Sequence, residues 1–205
     1  MKLLSLITCT WLLAFMHLNL AGQTIDASIP EACNTGKNTP YLSDEEKQVL
    51  MYLNIARAHP KEFLAYYLPG AAKTLNEDKV PEYKSLVKEL KSMKSVSMLD
   101  PDEGLTRVAK EHAEDMGTNG KMGHKSSKGK SYEERLKAYK GKAIAENCDY
   151  GYSDPVLIVT HLLIDSKEGS LGHRKNILNA AYNSAGISIQ PHKIYKFNCV
   201  MDFLE

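Results

Sequence analysis

Four side chains in the later part of the chain, His124, Glu146, Asp165 and His173, each occupy a position that is awkward for their type unless something pairs with them. His124 lies in the polar, glycine-bordered run GKMGHKSSKGK, and loops of this kind more often carry function than the elements they join. Glu146 sits inside the short apolar stretch AIAENC, where a carboxylate is disfavoured without a partner. Asp165 closes an apolar helical run, at the end where the helix dipole is negative and an acid is unfavourable. A nearby cation or protonated histidine would remove that conflict. His173 follows Gly172 where another helix is expected to begin. Two imidazoles and two carboxylates suit a divalent cation, zinc first among them. They also suit His–acid pairs tuned for proton transfer, in which case His124, Glu146 and His173 are the candidate catalytic groups.

The other histidines carry less. His112, in HAED, is half of a zinc-deaminase signature, but no Pro-Cys-x-x-Cys follows. No His-Glu-x-x-His is present either. His112 and His161 therefore read as packed helix residues. No serine or cysteine nucleophile stands out, although Cys148 adjoins Glu146.

The elements that must position these groups can be read from pattern. Ser-Asp-Glu-Glu from Ser43 is a capping box, and Val49, Leu50, Leu53 and Ala56 recur at helical spacing as far as Ala58. Pro60 ends that helix and starts another running to Leu68. Further helices are expected over 80–93, from Asp100 to Gly117, and over 131–139. Asp154 as cap with Pro155 behind it opens a helix to Ile164 that is apolar nearly all round, hence buried. Strands are expected over 143–148, 185–189 and 195–203, the last two joined by a Gln-Pro-His-Lys turn. The sum is an α+β fold.

Lys2 followed by an apolar run to Leu20, with Ala21 and Gly22 after it, reads as a secretory signal peptide over residues 1–22. Residues 23–42 read as an irregular lead-in, and residues 43–205 as one domain. The expected product is secreted or periplasmic, and not an integral membrane protein once the signal is cleaved. The formal net charge is +1, with 26 basic and 25 acidic residues, which argues against nucleic acid as a partner. Three cysteines lie beyond the signal, Cys33, Cys148 and Cys199. In an oxidising compartment one pair can form, and Cys148–Cys199 is the expected pair because both fall in strand-like segments.

The runs LNIARAHPKEF, LTRVAKEHAEDM, Gly123-His124, AEN (145–147), GHRKNIL (172–178) and GISI (186–189), in this order and spacing, resemble a bacterial member of the CAP superfamily. These are the cysteine-rich secretory, antigen-five and pathogenesis-related proteins, whose SCP domain the resemblance places over about Ser43 to Phe203. The resemblance implies an α-β-α sandwich with a small antiparallel sheet and a cleft floored by two histidines and two acids. By position these are His124, Glu146 and His173, with Asp165 preferred to Glu168 as the second acid. Gly172 would let the chain turn and aim His173 into the cleft, with Arg174 and Asn176 in supporting roles. The chain departs from the family in carrying Asp rather than Glu at 165, in lacking the tryptophan of that helix, and in lacking the eukaryotic cysteine framework. The function implied is binding of a lipid, glycan or protein ligand, with or without a divalent metal. The alternative is a metal-assisted or acid/base hydrolase using the same cleft.

Overall fold

The computed structural model describes residues 24–205 apart from Glu168. The signal reading over 1–22, and Glu168 as an alternative acid, lie outside the described residues. The elements run α1 (Ser28–Cys33), α2 (Asp44–Ala58), α3 (Pro60–Tyr66), α4 (Leu68–Thr74), α5 (Pro81–Ser92), β1 (Asp100–Pro101), α6 (Glu103–Asn119), α7 (Tyr132–Arg135), β2 (Ile144–Tyr150), α8 (Pro155–Ile164), α9 (Gly172–Leu178), β3 (Ser184–His192) and β4 (Lys196–Leu204).

Local chemistry sets most of the boundaries. Ser43 and Glu46 close a reciprocal capping box on α2. Asp102 caps α6, Gly120 ends it in a left-handed turn, and Asp154 caps α8. The lead-in is more ordered than its lack of periodicity predicts. It contains α1, whose Cys33 is buried in the main core, and Asn54 of α2 donates to the Cys33 carbonyl.

The sheet order is β1-β3-β4-β2. It is antiparallel except for β1, a two-residue strand that runs parallel to β3. Alternation along the strands separates two faces. Ala185, Ile187, Cys199, Met201 and Phe203 join the main core with α2 and α8. Val200 and Cys148 face Ala109 and Ala113 of α6. Helices on both sides of one sheet give the α-β-α sandwich. Strand β3 runs three residues past its expected end, through Pro191, because the short β1 asks nothing of its far half.

The expected Cys148–Cys199 disulfide is not present; Cys33, Cys148 and Cys199 are free thiols. The register explains this. Cys148 lies opposite Val200 while Cys199 lies opposite Asp149, so the two sulfurs point to opposite faces of the sheet. Two buried arginines fasten the helical layer instead. Arg57 donates to the carbonyls of Ile177, Asn179, Tyr182 and Ser97, and Arg174 donates to those of Leu163, Ile164 and Glu82.

Candidate functional site

Strand β2 is the sheet's edge, so side chains from both of its faces can reach the same rim. Glu146 and Cys148 point toward α6, whereas Asn147 and Asp149 point toward α8 and α9. A cleft of about 480 Å³ opens along this edge, lined in part by His124, Asp149, His161, Asp165 and His173. A slightly larger groove of about 540 Å³ between α7 and the start of β2 contains no histidine and no buried acid.

On the α6 side, His124 Nδ1 lies 2.9 Å from Glu146 Oε1. The other Glu146 oxygen accepts from the Arg135 guanidinium, which also donates to the His124 carbonyl at 2.8 Å. Burial alone would raise the Glu146 pKa. The His124 hydrogen bond and the Arg135 charge outweigh it and hold this carboxyl below its usual range. The loop carrying His124 is fixed one residue earlier. Gly123 N–H donates to the Tyr150 hydroxyl, and the Gly123 carbonyl accepts from His112 Nε2 at 2.9 Å. Burial lowers the His112 pKa, so that ring is the neutral donor holding the loop.

On the α8–α9 side, His173 Nδ1 lies 2.8 Å from Asp165 Oδ1. Asp165 Oδ2 accepts the His173 backbone N–H at 3.0 Å. Asp165 therefore closes α8 and meets the electropositive start of α9, which removes the dipole conflict expected from its sequence position. Burial opposes ionisation here too, but the His173 contacts win and the Asp165 pKa is lowered. The turn into α9 is made by Gly169 and Leu171, both at positive φ, rather than by Gly172, which is already helical. Asn147 donates to the His173 carbonyl and Asn176 donates to Asn147, which holds α9 against β2. The His124 and His173 ring centroids are 6.4 Å apart.

The sequence reading missed the opposite wall. His161 reaches out of α8 to Asp149, Nδ1 to Oδ1 at 2.5 Å, with Glu77 at 3.9 Å from its Nε2. Burial lowers a histidine pKa, but these two carboxylates reverse that and raise it. Burial also raises the Asp149 pKa, so the pair holds one proton firmly between its two members. The only available signal was that His161 is a polar interruption of the otherwise apolar run PVLIVTHLLI.

Two sets of donors bear on metal. His112, Glu146 and Cys148 offer ligand atoms within 4.8 Å of one another and form a group that could hold a metal ion. Their present engagements work against it. His112 Nε2 faces the Gly123 carbonyl, Arg135 already neutralises Glu146, and burial raises the Cys148 pKa well above its usual value. The His124–His173 pair has the donor chemistry that fits. Of the two neutral tautomers, a carboxylate on each Nδ1 selects the one with its proton on Nδ1 and its lone pair on Nε2, the arrangement that orients metal-binding histidines.

The solved structures similar to this chain include two bacterial ones. An extracellular protein containing an SCP domain from Bacillus anthracis str. Ames is 26% identical, with a TM-score of 0.43. The match covers 54% of this chain and 34% of that one, so the chain spans about a third of its length. An outer surface protein from Borrelia burgdorferi is 20% identical over 67% of this chain and 93% of that one, with a TM-score of 0.45. No curated protein matches the chain. The sequence pattern of the Cysteine-rich secretory protein family, CAP, matches residues 52–203. That span contains all three His–carboxylate pairs and all but the last residue of the sheet, and the chain belongs to this family.

Proposed function

We propose that this is an exported CAP protein whose cleft binds a ligand around a divalent cation held by His124 and His173, without turning the ligand over. The observation that carries this reading is the pair of imidazoles facing one cleft, each with Nδ1 set by its own buried carboxylate. Bound there, the ion would supply a Lewis-acidic point for an oxygen of the ligand, a lipid, glycan or protein. Glu146 and Asp165 orient the rings, and Arg135 keeps Glu146 ionised. No described helix is long and apolar enough to cross a membrane, which accords with an exported chain.

The alternative, hydrolysis, is favoured by one observation. Asp149–His161 is a second imidazole–acid pair in the same cleft, suited to proton transfer. Cys148 does not serve as its nucleophile, being buried with a raised pKa.

Zinc should raise the melting temperature of the wild type, with about 2.7 kcal/mol of added stability at a hundredfold excess over Kd. The gain should fade as pH falls through the histidine range near ~6.5. Peptide, ester and glycan substrates should pass unchanged. Turnover that disappears in His173→Ala would replace the binding reading with the enzyme.

A further inference from the structure

The turn between β3 and β4 is held rigidly and still presents apolar side chains to solvent. His192 Nε2 donates to the Lys121 carbonyl at 2.8 Å, while its Nδ1 accepts the backbone N–H groups of both Ile194 and Tyr195 at 3.1 Å. Lys193 N–H donates to the Gly117 carbonyl, which binds the tip to the end of α6. On this fixed frame Ile194 is 65% exposed and Met122 is 54% exposed, with Tyr195 and Phe197 beside them at 39% and 37%. These four, with Met98, are the large hydrophobic side chains exposed among the described residues. Ile194, Tyr195 and Phe197 lie on this one hairpin, and Met122 shares the cleft lining with Tyr195.

The charges next to them in the sequence have one sign. Lys193 and Lys196 flank Ile194 and Tyr195, and Lys121 precedes Met122. Neither HKIYKFN (192–198) nor residues 116–132 contain an acid. A small wedge of aliphatic and aromatic side chains ringed by lysines matches the boundary between headgroups and acyl chains of an anionic bilayer. There the apolar tips enter and the ammonium groups stay at the phosphate level. Aromatic residues and Met also suit protein interfaces, but lysines are depleted there, and three of them border these side chains.

We propose that the β3–β4 tip, with Met122, is a peripheral docking site for an anionic lipid surface. Met122 and Tyr195 also line the cleft, so docking sets the cleft mouth against the headgroups. The proposal does not depend on the metal reading.

The test is co-sedimentation with vesicles of phosphatidylglycerol and phosphatidylcholine, compared with phosphatidylcholine alone. Wild type and variants must share one N-terminus, because residues 3–20 are themselves apolar. Wild type should partition onto the anionic vesicles and much less onto the neutral ones. Lys193→Ala with Lys196→Ala should weaken partitioning roughly 25-fold, about fivefold per lysine. Ile194→Asp should bring it to the level of neutral vesicles, while Lys91→Ala, an exposed lysine on α5 and outside the cleft lining, should bind as wild type does. Equal binding of Ile194→Asp and wild type would overturn the proposal. So would a wild-type dimer that Ile194→Asp dissociates with no preference for anionic vesicles, since the corner would then be a contact between two copies.

Discussion

Arg135 is the residue that makes Glu146 tolerable. The carboxylate is wholly buried, its charge is balanced by the guanidinium on one oxygen, and its other oxygen faces Nδ1 of the His124 ring. Removing one member of such a pair leaves an uncompensated buried charge. Arg135→Ala should therefore lose about 3–5 kcal/mol in denaturant unfolding, with Arg135→Lys losing less. An unchanged midpoint for the alanine variant would mean that Glu146 finds another partner. His161 gives a test of sign. Its folded pKa is raised, so its contribution is fully present below ~6.5 and is lost as pH rises through the folded value. His161→Gln should accordingly lower the melting temperature more at pH 6 than at pH 9. An equal penalty at both would show that the Asp149 contact does not depend on the imidazolium. These residues also show what a sequence can reveal at this scale. Glu146 and Asp165 stand out because each contradicts its local pattern. Arg135 contradicts nothing in a basic, polar stretch, and its partner is supplied by a strand eleven residues on. His161 lies on a helix whose composition says buried, and only the register of β2 brings Asp149 to it.

Elements depend on close approach as much as on apolar pattern. Gly186 of β3 lies so near α6 that a Cβ there would come within 2.1 Å of the Leu105 carbonyl carbon and 2.2 Å of the Thr106 nitrogen. Both are backbone atoms that cannot swing aside. Gly186→Ala should force the helix off the sheet and cost about 1–3 kcal/mol or more, read as a lower denaturant midpoint. A loss below about 0.5 kcal/mol would show that α6 can shift freely. The helices with strong caps, α2, α6 and α8, are legible because their start signals and apolar spacing agree. Strand lengths are less so. Pro191 argues for a turn, yet β3 passes through it because its far half has no second neighbour to satisfy. The free thiols follow from register alone, since a shift of one residue decides whether two cysteines share a face.

At the scale of the whole molecule, the order β1-β3-β4-β2 leaves β2 at the edge, and the edge is where two layers can contribute to one cleft. His124 and Glu146 come from the α6 side, and Asp165 and His173 from the α8–α9 side. Neither layer holds the site alone. The sandwich and the family are legible from the order of short motifs, because those motifs are the segments that fasten layers together. Arg57 in LNIARAHPKEF ties α2 to the residues before β3, and Arg174 in GHRKNIL ties α9 to α5 and α8. The opposite wall of the cleft was hidden because Glu77, Asp149 and His161 lie far apart in sequence and share no motif. The proposed holders of the metal are the two outward histidines, whereas the buried His112–Glu146–Cys148 group is the competing set of ligand atoms. Isothermal calorimetry with Zn²⁺ on wild type, His124→Ala, His173→Ala and His112→Ala separates the two. One site is expected in the wild type, lost or weakened at least about tenfold in His124→Ala and His173→Ala and kept in His112→Ala. Binding that survives His173→Ala but vanishes in His112→Ala would contradict it.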